Sequence, residues 1–298
     1  MVDLYNRRID CLYPTYNNLS EFEKFQIIPS KYQHLMEKLP SKLLGYDTNT
    51  KVEKGKKQGY TTGISYMSPY KTYPYGNVCA MAGKFKCHEP CLNESGRGKF
   101  SVNQVARFRK LALFKDHPEL FKEMLIKDIE TGIRKAKRDN TKVAVRINGT
   151  SDIDIVRLYK DILIEYPKVE FYDYTKIPKY LNKLQKLDNQ ISNYHLTFSY
   201  SKVETAQEYI EQATKTKFNI AMVIKNENQV TRLMENEHKI KLYGQEYNLI
   251  NGDDDDLRFL DTNNSIVLLK YKETRASQED INNFVVDIDD LPRNVELT

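Results

Sequence analysis

The sequence predicts an α/β protein: a partial (β/α) barrel of about six parallel strands, with an N-terminal extension and a C-terminal tail. Three observations lead there. From residue 60 on, short β-branched and aromatic runs alternate with stretches of helical periodicity, the pattern of a parallel sheet covered by helices. No Gly-x-Gly-x-x-Gly turn opens any of the helices, so a doubly wound dinucleotide-binding domain lacks its main signal. Acids, amides and hydroxyls cluster after successive strands, where a barrel carries its chemistry.

Residues 1–59 keep no clean period and read as an extension packed on the main body. A helix is predicted over Glu21–Leu39, interrupted at Pro29, whose ring cannot follow a helical turn. Asp47–Gly59 (DTNTKVEKGKKQG) is polar and reads as an exposed loop. Tyr60–Met67 is the first strand. A long loop with Pro69, Pro74 and three cysteines follows, closed by Gly96-Arg97-Gly98. Ser101 is placed to cap the next helix, whose apolar side carries Val102, Val105, Phe108 and Leu111–Leu113. Asp116 and Pro118 open a second helix to Lys137, with Leu120, Met124, Leu125, Ile129 and Ile133 at helical spacing. Further strands are predicted at Val143–Ile147, Val169–Tyr174, Tyr194–Ser199, Phe218–Ile224 and Tyr247–Ile250, with a seventh at Ile266–Tyr271. Helices fall near Asp154–Tyr166, Lys179–Asp188, Val203–Thr214 and Gln229–Glu235. The domain reading is a 1–59 extension, a 60–271 partial barrel and a 272–298 acidic tail.

Composition bounds the function. With 298 residues, 21 Tyr and 12 Phe, the chain can bury a core, which excludes wholesale disorder. No run approaches the ~18 apolar residues of a membrane span. The opening MVDLYNRRID has no apolar signal region, so the expected location is cytoplasmic, and the acceptor patterns at Asn93 and Asn148 are not expected to be glycosylated. A net charge of +5 permits a nucleotide or nucleic-acid partner without requiring one. The helices over Gln104–Arg138 carry ten basic and five acidic residues, which reads as a solvated surface or as a nucleic-acid face.

Cys79, Cys87 and Cys91 are spaced C-x7-C-x3-C in the loop after the first strand. In a reducing compartment such a cluster points to metal or catalysis rather than to disulfides. Three thiolates on a four-iron cluster leave one iron open, and a cysteine loop in this place resembles the arrangement of radical S-adenosylmethionine enzymes, whose usual spacing is C-x3-C-x2-C. Zinc is the alternative, with His88 as a fourth ligand. Cys11 is expected to lie apart.

After the second strand, which carries Arg146, come Asn148, Gly149, Thr150, Ser151 and Asp152. Gly149 lets backbone approach closely, and the polar side chains suit an amino-acid or ribose group; a helix cap at Ser151 or Asp152 is the plainer reading. Alternation puts Phe171 and Asp173 on one strand face and Tyr172 and Tyr174 on the other, with Lys176 a candidate partner for Asp173. Ser199 and Ser201 follow the fourth strand. Asp253–Asp256 either binds a divalent cation or is a solvated loop on which Arg258 folds back. His195 reads as a hydrogen-bonded core histidine.

Five stretches, CAMAGKFKCHEPCLNESGRG, VAVRINGTSDID, VEFYDYTK, YHLTFSYS and INGDDDDLRFLD, occur in this order over about residues 60–271. Together they resemble the gene product 88 family of bacteriophage proteins. The resemblance supports Cys79, Cys87, Cys91, Arg146, Asn148, Asp152, Asp173, Lys176, Asp253, Asp256 and Arg258 as the shared set. It implies no activity of its own, and its layout is similar to phage proteins regarded as radical-S-adenosylmethionine-like, which would act in the host cytoplasm.

The expected function is an iron–sulfur protein of phage type that cleaves S-adenosylmethionine reductively and acts on an unknown substrate. Cys79, Cys87 and Cys91 are the expected ligands of a four-iron, four-sulfur (4Fe–4S) cluster. Arg146, Asn148, Gly149, Ser151, Asp152 and Ser199 would bind the cofactor, and Asp173, Lys176, Asp256 and Arg258 would carry the chemistry. Two alternatives stand beside it: a non-enzymatic nucleic-acid-binding module pinned by zinc, and a metal-dependent enzyme built on Asp253–Asp256.

Overall fold

A computed structural model describes residues 12–46, 50–236 and 238–298. Its centre is one ten-stranded sheet: β1 (Gly45–Tyr46), β2 (Tyr60–Ile64), β3 (Lys142–Arg146), β4 (Val169–Thr175), β5 (Tyr194–Ser199), β6 (Ile220–Ile224), β7 (Ile240–Leu242), β8 (Gln245–Asn251), β9 (Ser265–Lys270) and β10 (Val295–Leu297). The strand order is β1-β2-β3-β4-β5-β6-β9-β8-β7-β10. The seven strands from β2 to β8 in this order pair in parallel, and β1, β7 and β10 add antiparallel edges. All seven predicted strands are thus present and parallel. The sheet is open, with edges at β1 and β10, and β9 inserts between β6 and β8, so the sequential order of a barrel is not followed.

Eleven helices are described. Four precede β2: α1 (Pro14–Asn17), α2 (Glu21–Ile27), α3 (Ser30–Gln33) and α4 (Thr50–Lys57). The crossovers are α5 (Ser101–Asp116) and α6 (Pro118–Asp139) before β3, α7 (Ile155–Glu165), α8 (Pro178–Gln185), α9 (Gln207–Thr214) and α10 (Glu227–Glu235). The last, α11 (Gln278–Phe284), lies in the tail. The predicted break at Pro29 separates α2 from α3. The predicted exposed loop over 47–59 is α4 from Thr50 onward, with Val52 and Gly55 buried; Asp47–Asn49 lie outside the described residues, as does Cys11. The caps also differ from expectation. Ser101 is the first residue of α5, His117 rather than Asp116 precedes α6, and Asp154 rather than Ser151 or Asp152 caps α7, accepting the Arg157 N–H at 2.9 Å. Asp116 instead accepts the Tyr75 hydroxyl.

One face of the sheet packs on the crossover helices. Val143, Val145, Phe171, Leu196, Phe198, Met222 and Leu268 alternate inward against Leu111, Phe121, Leu125, Ile129, Ile162 and Leu181. Burying a side chain such as Phe171 stabilises by about 1.5–3 kcal/mol, and Phe171→Ala would cost about 3–5 kcal/mol once the cavity is included. Among the described residues no helix is long and apolar enough to cross a membrane.

The chain on either side of the predicted barrel is built into this sheet. Asp128 accepts the Leu43 and Leu44 N–H groups, and Tyr46 donates to the Asp128 carbonyl. A Cβ on Gly63 or Gly132 would stand 2.6 or 2.2 Å from the Tyr46 ring or hydroxyl, so both positions need glycine for β1 to dock. At the other end β10 pairs with β7, and Val286 bridges to Ile224.

Handedness explains the second face. From β2 to β6 the chain steps one way along the sheet, and right-handed crossovers put the helices on one side. The step from β8 back to β9 reverses direction, so its connection, residues 252–264, must cross the opposite side. There Leu257 packs with Tyr60, Ala144 and Tyr172 as a small second core, and the Phe259 ring stands 5.0 Å from Tyr60 and 5.6 Å from both Tyr172 and His195. Tyr60 on β2 and His195 on β5 are three strand spacings apart, about 14 Å in a flat sheet. Both reach one ring, so this face is concave. Lys54 donates to the Asp253 carbonyl at 3.0 Å and Gln58 to Asp255 at 2.5 Å, which ties the connection to α4 and the approach to β2. We call residues 252–264 the strap.

Candidate functional site

The parallel strands end on one side, and the cysteine loop lies over those ends. Val78 accepts the Asp152 N–H at 2.8 Å, Met67 accepts the Thr150 hydroxyl at 2.6 Å, and Phe85 accepts the Ser201 hydroxyl at 2.7 Å. Three hydrogen bonds thus join the loop after β2 to the turns after β3 and β5. Its far end is locked by Arg107, which donates to the Asn93 carbonyl and side-chain oxygen at 3.0 and 2.6 Å, and by Gln104, which donates to the Gly98 carbonyl at 2.7 Å. A Cβ on Gly98 would stand 2.8 Å from the Asn93 carbonyl, so the Gly96-Arg97-Gly98 turn is a packing requirement.

Cys87 is buried and Cys79 and Cys91 are half-buried. Burial pushes all three thiols up, Cys91 to about 11. The charges of Cys87 and Cys91 act on Cys79, that of Cys87 acts on Cys91, and Lys176 and Asp152 act on Cys79 and Cys87. The three thiols therefore share one neighbourhood with a cation and a carboxylate, and burial favours their neutral forms. As a donor set they suit a thiophilic metal, which ionises coordinating thiols. They do not already stand as ligands: among the described residues no group of three or more His, Cys, Asp or Glu side chains is arranged to hold a metal ion. His88 is turned to Glu89 at 3.6 Å and to the Tyr70 ring at 4.8 Å.

Lys176 is buried at the end of β4. Its ammonium donates to the Ser199 carbonyl and hydroxyl at 3.0 and 2.9 Å and to the Tyr200 carbonyl at 3.3 Å, between the Phe85 and Phe284 rings. Burial lowers its pKa, and the thiols and Asp152 oppose that shift. Asp152 is buried too and accepts the Lys176 N–H through Oδ2 at 2.9 Å. Burial pushes its carboxyl up to about 6, although hydrogen bonds from Lys176 and Thr175 pull the other way. Its second oxygen, Oδ1, has no hydrogen-bond partner. A buried acceptor left open costs about 1–3 kcal/mol.

The rest of the Asn148–Asp152 turn is turned on itself. Asn148 Oδ1 accepts the Ser151 hydroxyl and the Ile153 N–H, and Nδ2 donates to the Ile153 carbonyl. The close approach at Gly149 is to the chain's own Ser65: a Cβ would stand 2.3 Å from that carbonyl. Asp173 shares the face of β4 that carries Phe171, as the alternation predicts, and that face is the helix side rather than a barrel interior. Asp173 accepts the Asn148 N–H at 2.7 Å and the Tyr194 hydroxyl at 3.2 Å rather than pairing with Lys176, and burial pushes its carboxyl up to about 7.

On the concave side Arg146 faces Asp256 at 3.3 Å and stacks over the Tyr174 ring at 4.6 Å. Tyr172 donates to Asp256 at 2.9 Å, while Arg258 pairs with Asp255 at 2.9 Å and Asp261 at 3.2 Å. Asp253 accepts the Lys270 N–H at 2.7 Å and Asp254 accepts from Asn251 at 3.0 Å. All four aspartates are thus engaged by the protein's own donors. Arg258 does fold back on one of them.

Sequence reasoning missed Phe284, Tyr194, Asn93 and Arg107. The first comes from the tail and carries no periodic signal. The Gly-Arg-Gly turn was the available signal for Asn93 and Arg107. Beside the cysteine loop a groove of 480 Å³ opens toward α2 and α5, lined by Tyr70, His88, Glu94 and Gln104 among others. A protein-family model described as gene product 88 matches residues 41–286. No curated protein and no solved structure matches the chain.

Proposed function

We propose that this chain, which belongs to the gene product 88 family, holds an iron–sulfur cluster on Cys79, Cys87 and Cys91 and binds a small amine-bearing cofactor beside it. The observation that carries the reading is the company the thiols keep. One buried and two half-buried thiols act electrostatically on Lys176, beside a carboxylate with one open oxygen, at the C-terminal ends of parallel strands. When bound, the cluster supplies one-electron chemistry. The chain's own part is to hold and orient. Lys176 offsets thiolate charge while Ser199 and Tyr200 fix its ammonium, and Asp152 Oδ1 accepts an ammonium N–H. S-adenosylmethionine is the cofactor we infer for it, with reductive cleavage as the reaction.

Zinc in place of the cluster is the second reading, favoured by the structural character of the Arg107–Asn93 lock. Anaerobic reconstitution separates them. Wild type should gain thiolate-to-iron absorption that the Cys79→Ser, Cys87→Ser, Cys91→Ser triple variant lacks and a Cys11→Ser variant keeps. A colourless wild type that retains zinc would favour the second reading. With the cluster in place, Asp152→Ala should bind S-adenosylmethionine about 10- to 150-fold more weakly by calorimetry.

A further inference from the structure

The chain leaves the sheet after β9 and comes back to it at Val286, and both ends of the excursion are fixed on β6. Tyr271 N–H donates to the Ile224 carbonyl at 2.8 Å. Val286 N–H donates to the Val223 carbonyl at 2.8 Å, and its carbonyl accepts the Lys225 N–H at 3.0 Å. Successive residues of a strand bond to opposite edges, so residues 272–285 arch over the end of β6 from its β9 edge to its β5 edge. Close ends and this length are those of a compact Ω-loop, about 6–16 residues. Between its ends the segment bonds to itself: Ser277 caps α11 by accepting the Asp280 N–H at 3.1 Å, and Thr274 accepts the Ala276 N–H at 3.2 Å. No residue of α11 is buried. Its inner face, Gln278, Ile281 and Asn282 with Val285 just beyond, borders a cavity of 150 Å³ shared with Lys202 and Lys225, and neither Ile281 nor Val285 belongs to the main core. A helix this short keeps its shape through a packed apolar face, which α11 lacks.

What this loosely packed segment covers is the Lys176 side of the thiol site. The Phe284 ring stands 5.0 Å from Lys176 Nζ, opposite the Phe85 ring of the cysteine loop at 4.8 Å, and the lysine is 7% exposed between them. The Ser201 hydroxyl joins the two walls, donating to the Phe85 carbonyl at 2.7 Å and to the Asn283 carbonyl at 3.2 Å. We propose that residues 272–285 are a lid that moves on Tyr271 and Val286, lifts Phe284 from Lys176 and opens the thiol site to a small molecule. Elements that open locally are those with few buried apolar contacts, while strand-paired residues beside them stay closed. The role of the lid rests on the thiol-site reading above; its motion does not.

Both readouts use full-length, metal-free protein. In amide hydrogen exchange the Ile281 and Val285 N–H groups, bonded within the lid, should exchange at least about 100-fold faster than the Tyr271 and Val286 N–H groups that hold its ends. Acylation of Lys176 by a small reagent, followed by peptide mass spectrometry below about 1 M urea, reads the opening itself. Lid motion exposes little surface, so the rate should be flat in urea, whereas a rate that rises with the slope of global unfolding reports unfolding instead. Phe284→Ala should raise the Lys176 rate at least about 10-fold and keep it flat. Leu291→Ala, at a half-buried tail position outside the lid, should leave the rate as in wild type. Equal protection of the four amides, a wild-type rate that follows global unfolding, or equal effects of the two variants would each overturn the lid. Failure to reconstitute a cluster would strike the thiol-site reading and leave these rates as expected.

Discussion

Replacing Asp256 with alanine tests whether the strap is a structural element. Asp256 and Arg146 are both buried, with 11% of each side chain exposed, and Asp256 also accepts the Tyr172 hydroxyl. Truncation leaves a guanidinium in the concave face without its counter-charge and a buried phenol without its acceptor. Stranding one member of a buried ion pair costs about 3–5 kcal/mol. Arg146 keeps its stacking on Tyr174, and its contacts to Asp256 at 3.3 and 3.5 Å are long, so the expected loss is near the lower end, about 3 kcal/mol. Asp256→Asn keeps an acceptor for Tyr172 and should lose less. Asp254 is exposed and bonded to Asn251 alone among the interactions described for it, so Asp254→Ala should cost under about 0.5 kcal/mol. Equilibrium urea unfolding by circular dichroism reads these as shifts in midpoint at constant slope. If Asp256→Ala stays within about 1 kcal/mol of wild type, or matches Asp254→Ala, the strap does not hold the concave face and the structural reading of its aspartates fails.

Two further outcomes follow from the turn after β3. Asp173 titrates near 7 in the fold against 3.8 ordinarily, because it is buried, so between those values the folded state binds more protons and stability falls as pH rises. Asp173→Asn should remove that slope and gain on wild type by up to about 4 kcal/mol between pH 4 and pH 8, measured by urea midpoints; a slope that survives the substitution contradicts the assignment. Gly149→Ala drives a Cβ onto the Ser65 carbonyl and should cost about 1–3 kcal/mol while loosening the cysteine loop through the Asp152–Val78 bond. Faster proteolysis within residues 66–100 would report that loosening, and a fully stable, equally resistant variant would contradict it.

Much of the fold was legible because parallel strands buried on both faces read as compact apolar runs. Tyr194–Ser199 matches β5 at both ends, and the other predicted strands differ from the observed ones by up to three residues at an end. The misses have physical causes. β1, β7 and β10 are two or three residues long, too short to show a period. β9 inserts between β6 and β8 through a long-range pairing that local pattern does not encode. The helix in 50–57 hides because six of its eight residues are Lys, Glu or Gly, and among those whose burial is described only Val52 and Gly55 turn inward. At the site, residue types in order placed the cysteines, Asp152 and Lys176 at strand ends. Which oxygen of Asp152 is open, and that Phe284 reaches Lys176 from the tail, depend on tertiary contacts alone.

The central claim, a cluster held by three cysteines, is tested most directly by iron and acid-labile sulfide analysis of full-length protein isolated without oxygen. The account predicts about four of each per chain in wild type and none in the triple cysteine-to-serine variant. Protein free of iron and sulfide, with all four thiols titrating after unfolding, would contradict it.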